Sequence, residues 1–279
     1  MIDDFAKTNF LKSKTLDDLK KLSICTTRPD LSIANDIIIR YFNPNEYHNK
    51  DSWGYDNFVY KVSNLGFRGE EIPKSIDLAA LGCSYTFGQG LPEELLWHRI
   101  ASNALKFASY NFGQPAANIK SIADIFYILL NHTKIKHAVF LLPPYHRLQV
   151  ASSINGKVEL IPILPNYKGL FESGFPISSD DIYKSLSDET LFNIFKDTIY
   201  TIEVIADIYD CKVYFSSWDH MTYNFLSSMN LSSTLLPEWN SSFNPVTEES
   251  LDNDLARDKL HPGPKHHKKW AKQIIPYIK

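Results

Sequence analysis

Ile76-Asp77-Leu78-Ala79-Ala80-Leu81-Gly82-Cys83-Ser84-Tyr85-Thr86-Phe87-Gly88-Gln89-Gly90 is a short apolar run that stops at a glycine and then passes through a serine into a glycine-rich turn. Ile76–Leu81 suits a buried strand of a parallel sheet. A glycine just past such a strand permits a tight turn, which can lift the Ser84 hydroxyl above the sheet edge. A helix starting soon afterwards would offer backbone N–H groups to developing negative charge. Gly82, Gly88 and Gly90 also fit a phosphate-cradling loop. The nucleoside-triphosphate version fails because no Gly-Lys-Ser/Thr ending follows; a flavin-phosphate version stays open on this segment alone.

Downstream, strand and helix signals alternate. Pro92–Lys106 reads as a helix, Ala108–Phe112 as a second strand and Asn118–Asn131 as a second helix. His137–Leu142 is the strongest strand signal, stopped by Pro143-Pro144. Val150–Ser187, rich in Pro, Gly and Ser, fits a hairpin or an irregular insertion. Leu191–Tyr209 has apolar residues at helical spacing, Cys211–Ser216 reads as a strand and Lys265–Tyr277 as a closing helix. Such alternation predicts an α/β domain with a mostly parallel sheet covered on both faces. Sites in these sheets lie at the carboxyl ends of the strands.

Upstream the texture differs. Residues 1–74 hold two helical patterns, near Leu16–Leu22 and Leu31–Phe42, and a polar, aromatic stretch, Asn43–Asn64. They read as a flank packed on a main domain spanning 75–279. Trp53, Tyr55, Phe58 and Tyr60 read as the residues that pack this flank, with stacking on a sugar ring as the alternative.

A formal net charge of −3 gives no electrostatic footprint for a nucleic-acid backbone, so a small or neutral partner is expected. Cys25, Cys83 and Cys211 are too few and too scattered for a disulfide framework or a zinc site. Reduced thiols fit a cytoplasmic protein, as does an N-terminus without a basic start and apolar run. No stretch approaches the roughly 18 apolar residues of a membrane span. Composition leaves the oligomeric state open.

Near the other end stands Ala256-Arg257-Asp258-Lys259-Leu260-His261-Pro262-Gly263. A serine hydroxyl is a poor nucleophile until a base removes its proton, and histidine has a suitable ordinary pKa. A carboxylate must then fix the imidazole's tautomer and stabilise the imidazolium. Asp258 and His261, three apart in one turn, can supply both functions. Cys83 is the weaker candidate nucleophile, because buried cysteine is usually inert packing and only one of two neighbours can meet His261.

These blocks resemble the SGNH/GDSL hydrolase superfamily, which places its nucleophile in an early Gly-x-Ser block and ends on Asp-x-x-His. Asn64-Leu65-Gly66-Phe67-Arg68-Gly69 and Asn111-Phe112-Gly113-Gln114-Pro115-Ala116-Ala117-Asn118 are similar to bacterial members as well. The resemblance implies a three-layer α/β/α sandwich with a flavodoxin-like sheet. It also implies a serine esterase without cofactor or metal, acting on an acyl ester, acetyl or another short chain, of a small molecule or carbohydrate. In that reading Ser84, Asp258 and His261 form the triad, and the oxyanion hole draws on Ser84, Ala116 or Gly113, and Asn118. An O-acetyltransferase using the same triad, and a binding protein that kept the fold with weakened activity, are the alternatives.

Three departures stand out. Cys83 replaces the usual Asp before the nucleophile, and Ala116 replaces a glycine that donates its amide. Where the family has an oxyanion-binding Asn after the third strand, this chain reads Pro143-Pro144-Tyr145-His146-Arg147. Either Asn118, Tyr145, His146 or Arg147 supplies that donor or the enzyme is slow on ordinary esters; Tyr145, His146 and Arg147, with Asp219 and His220 after the Cys211–Ser216 strand, are also candidates for substrate contacts. Arg68 fits either a buried structural pair or a substrate anchor. His266-His267-Lys268-Lys269 reads as a solvated helix face.

Overall fold

The structure, a computed structural model, describes residues 63, 65–154, 157–163, 179–239, 254–256 and 261–278. The helical patterns of the first 42 residues, the aromatic group at 53–60 and Asp258 lie outside the described residues.

Five parallel strands form the sheet: β1 (Ser75–Gly82), β2 (Ser109–Gly113), β3 (Lys134–Leu142), β6 (Lys212–Ser217) and β7 (Thr234–Leu235). Their spatial order is β2-β1-β3-β6-β7. An antiparallel hairpin, β4 (Leu148–Ile154) and β5 (Lys157–Ile163), is inserted between β3 and β6 in sequence and forms its own two-stranded sheet. Without the hairpin, the order is that of the flavodoxin-like doubly wound sheet. The chain reverses its direction of travel at β1, so the crevice lies beyond the carboxyl ends of β1 and β3.

The helices are α1 (Ser84–Phe87), α2 (Trp97–Leu105), α3 (Ile119–His132), α4 (Ser179–Ser185), α5 (Asp188–Ile208), α6 (His220–Ser228) and α7 (Pro264–Ile274). Helices α2 and α7 pack together as one layer and α3 and α5 as another, with α2 and α3 both against β1. An indole cluster, Trp97, Trp270 and Trp239, seals the first layer. Phe126 of α3 meets Phe140, which meets Phe215, across the second. Leu78, Ala79, Ala80 and Leu81 are fully buried, as the apolar run of β1 requires of a strand covered on both faces. Each large aliphatic or aromatic side chain so buried contributes about 1.5–3 kcal/mol.

The helix expected over 92–106 is divided. Glu93–Leu95 forms a 3-10 turn, Leu96 is extended, and α2 begins at Trp97. The cause is Leu96, whose fully buried side chain lies so close over Gly88 that a Cβ there would meet it at 2.0 Å. Helix α6 and strand β7 were not anticipated, being short. His266 and His267 correct the expected solvated face: they lie near the start of α7 and are buried, and only Lys268 and Lys269 are exposed.

Candidate active site

Ser84 is the first residue of α1 and is half-buried, whereas its neighbours Cys83 and Tyr85 are buried. The Cys83 thiol faces inward and accepts a hydrogen bond from the Trp218 indole N–H at 3.3 Å. Neither the hydroxyl nor the amide of Ser84 has a hydrogen-bond partner among the described residues.

The turn beneath Ser84 is clamped from several directions. A Cβ on Gly82 would meet Thr86 Oγ1 at 2.2 Å, and one on Gly113 would meet the Phe87 amide at 2.2 Å. Any residue larger than glycine at either position would push α1 off the strand ends. Arg68, only 1% exposed, donates Nη1 to the carbonyls of Phe87 and Gly88 at 2.8 and 2.9 Å, and Nη2 to Leu91 at 2.6 Å. It is therefore a strut under the turn, not a substrate anchor. Asn111, fully buried in the middle of β2, donates Nδ2 to the Thr86 carbonyl at 2.9 Å and lies 3.2 Å from His98 Nε2. Burial, with Arg99 and Arg68 nearby, holds His98 well below the ordinary histidine range, so it is neutral.

The opposite wall is the turn before α7. The Ala256 amide donates to the His261 carbonyl at 2.7 Å and Gly263 to Asp254 at 2.7 Å, while Leu255 and Pro262 pair as an antiparallel bridge. The Asp254 carboxylate accepts the His266 amide at 3.0 Å and so caps the first turn of α7. The His261 ring stands edge-on to Tyr85, with ring centres 5.8 Å apart. The serine turn and the histidine turn, far apart in sequence, thus meet through Tyr85.

Trp218, one residue past β6, stacks on Tyr85 at 4.5 Å and 10°, and Trp239 meets the same ring edge-on at 6.0 Å. Sequence reasoning singled out neither tryptophan. The position of Trp218 just beyond a strand's carboxyl end was the available signal.

The other candidates are placed as follows. The Gly113 amide donates to Asn111 Oδ1 at 2.8 Å. Ala116 is half-buried with φ 60°, a left-handed conformation that favours glycine. Asn118 caps α3, its Oδ1 accepting the Ser121 amide at 2.8 Å. Tyr145 turns away from the sheet edge into the helical layer, edge-on to Phe225 at 4.9 Å and Phe195 at 6.4 Å, and its amide donates to Thr222 Oγ1. His146 is half-buried, and that burial lowers its pKa. Arg147 donates Nη1 to the Ala117 carbonyl at 3.4 Å, and its guanidinium carbon lies 5.6 Å from the centre of the Trp218 ring. Asp219 caps α6, accepting the amide and hydroxyl of Thr222 at 2.9 and 2.7 Å. His220 is exposed and sits 3.1 Å from Glu238. Among the described residues, no group of three or more His, Cys, Asp or Glu could hold a metal ion, and no helix is long and apolar enough to cross a membrane.

No protein-family model matches the chain, and no curated protein matches it. Among solved structures it is similar to TesA, with 11% identity over 73% of this chain and 98% of that one, at a TM-score of 0.47. The psychrotrophic esterase EstA from a Pseudoalteromonas species gives 11% identity over 74% and 97%, at 0.44. Axe2, an acetylxylan esterase from Geobacillus stearothermophilus, gives 11% identity over 75% and 96%, at 0.43. Likeness at this level decides nothing about chemistry, which rests on the chain's own residues.

Proposed function

We propose that this chain is a serine esterase of the SGNH/GDSL type, hydrolysing a short-chain acyl ester through an acyl-enzyme on Ser84. The observation that carries the reading is the meeting of two turns at one sheet edge. Half-buried Ser84 flanks Tyr85, whose ring lies edge-on to His261, while Cys83 points into the core.

In this mechanism Ser84 Oγ attacks the ester carbonyl carbon as His261 takes its proton. Asp258 orients the imidazole and stabilises its cation. The amides of Ser84 and Ala116 hold the oxyanion. Gly113 is the weaker candidate, since its amide already donates to Asn111. The tetrahedral intermediate collapses, breaking the bond to the alcohol oxygen, which receives the proton from His261. Water, deprotonated by His261, then attacks the acyl carbon, and Ser84 leaves with the returned proton. Removing one oxyanion donor typically costs about 10²–10³ in kcat, so a chain lacking the third-strand Asn is expected to be slow on plain esters unless another donor serves.

The test is intact-mass spectrometry after exposure to a fluorophosphonate. One phosphonyl adduct is expected on the wild type and none on Ser84→Ala. Folded wild-type protein that takes no adduct would sink the esterase reading.

A further inference from the structure

Arg147, just past β3, has no charge partner among the described residues. Its side chain is half-buried, and none of the ion pairs among the described residues includes it. Its Nη1 makes one long contact to the Ala117 carbonyl at 3.4 Å, and its Nε–H is buried with no hydrogen-bond partner. A desolvated cation is unfavourable unless it is paired and its protons are accepted. The indole beneath it offsets part of that cost, since Trp218 lies 5.6 Å from the guanidinium carbon, but an aromatic face does not accept the Nε proton in line.

The surroundings tie this cation to Ser84. Trp218, which carries Arg147, contacts both neighbours of the serine: it donates to Cys83 Sγ and stacks on Tyr85. Ala117, which holds Nη1, follows Ala116, whose amide faces the oxyanion in the mechanism above. With Nη1 on Ala117 and Nε closed off from solvent, Nη2 is the donor left to an incoming carboxylate or phosphate oxygen.

We infer that Arg147 anchors an anionic group, a carboxylate or phosphate, carried by the ester that reacts at Ser84. This rests on the esterase reading for the reaction, but not for the binding of the anion. The Arg147–Trp218 pair then sets substrate class, selecting charged acyl or alcohol parts over neutral ones of the same length.

Two measurements on the full chain, wild type, Arg147→Gln and Arg147→Lys, test it. In the first, succinate and inorganic phosphate are titrated separately by calorimetry. The wild type is expected to bind at least one, with Arg147→Gln weaker by about 10- to 100-fold and Arg147→Lys intermediate, because lysine keeps the charge without the fork. Which anion binds identifies the group. In the second, hydrolysis of p-nitrophenyl hemisuccinate is compared with p-nitrophenyl butyrate. The wild type is expected to favour the anionic ester through a lower KM. In Arg147→Gln the ratio of the two kcat/KM values should fall at least about tenfold. That ratio is insensitive to folding damage, which lowers both rates together. Anion binding lost in Arg147→Gln, with neither ester hydrolysed, would uphold the anchor and sink the esterase. Ser84-dependent butyrate hydrolysis, with no anion bound and an unchanged ratio, would overturn the anchor and leave the esterase standing.

Discussion

The two turns that meet at Tyr85 are held by different means. The serine turn is fixed by buried side chains that come from elsewhere in the chain: Arg68 binds three of its carbonyls, and Asn111 binds Thr86 and its own strand end. The histidine turn is fixed mainly by its own backbone, through Ala256 to His261 and Gly263 to Asp254, with one carboxylate capping α7. In the proposed mechanism Ser84 must be presented within a narrow range of angle and distance, a demand that a turn locked from below would meet. In that mechanism His261 needs only the right ring orientation, which the backbone pairing of its turn can help to supply.

If that contrast is real, the largest loss should come from the strut under the serine turn. Arg68→Met deletes the donors to Phe87, Gly88 and Leu91; the Gly88 carbonyl keeps the Leu91 amide and the Phe87 carbonyl a long contact from Asn111. With three hydrogen bonds from a charged donor lost, at about 1.5–3 kcal/mol each, a loss of at least ~3 kcal/mol is expected. It should be read as a lower urea midpoint, with fluorophosphonate labelling slowed in the fraction still folded. A loss below about 1 kcal/mol would mean that the turn holds itself, and the contrast between the two sides would disappear.

The same contrast explains what was legible in the sequence. Local signals were readable: the apolar run into Gly82, the strand stopped by Pro143-Pro144 and the 3.6-residue period of α5. The clamps were not readable, because each joins residues far apart in sequence. Arg68 could be named but not assigned, since its role appears only when β1 and α1 fold back over it. His266 and His267 misled for a related reason: next to two lysines they look solvated, yet the α7 face that carries them packs on α2. Trp239 was missed because nothing in its local sequence marks it, and Trp218, just past β6, was passed over for its neighbours Asp219 and His220. Tyr145 and Arg147 lie two positions apart in one segment, yet one ring enters the helical layer and the other side chain reaches the sheet edge.

Both sides of the site carry a neutral buried histidine, which predicts how stability depends on pH. His98 lies under the serine turn, and His267 follows the histidine turn with its Nδ1 accepting the Trp97 amide at 3.2 Å. Burial, then the charges of Arg68 and the neighbouring histidines, lowers His267 from 6.5 to about 3. Below the unfolded value of 6.5 the unfolded chain takes up a proton that the folded chain refuses until about pH 3. Stability is therefore full above about 6.5 and is lost as the pH falls towards 3, by up to ~1.4 kcal/mol per pH unit for each such histidine. Urea midpoints at pH 7, 6 and 5 should decline, and His267→Gln should flatten the decline by about one proton's slope. An equal slope in that variant would place the acid sensitivity elsewhere.

The smallest effect belongs to the histidine turn's own side chain. Asp254 Oδ2 caps α7 through the His266 amide, while its backbone carbonyl holds Gly263, so only the first contact depends on the side chain. Asp254→Ala is expected to cost about 1 kcal/mol, the usual loss for an N-terminal capping oxygen. Asp254→Asn keeps an oxygen in place and should stay within ~0.5 kcal/mol of the wild type. Labelling of Ser84 should slow little in either variant, because the pairs Ala256–His261 and Gly263–Asp254 survive both changes. If Asp254→Ala instead matched the loss from Arg68→Met, the histidine turn would depend on a side-chain strut as much as the serine turn does. The division between a serine turn locked by side chains and a histidine turn held by its backbone would then have to be abandoned.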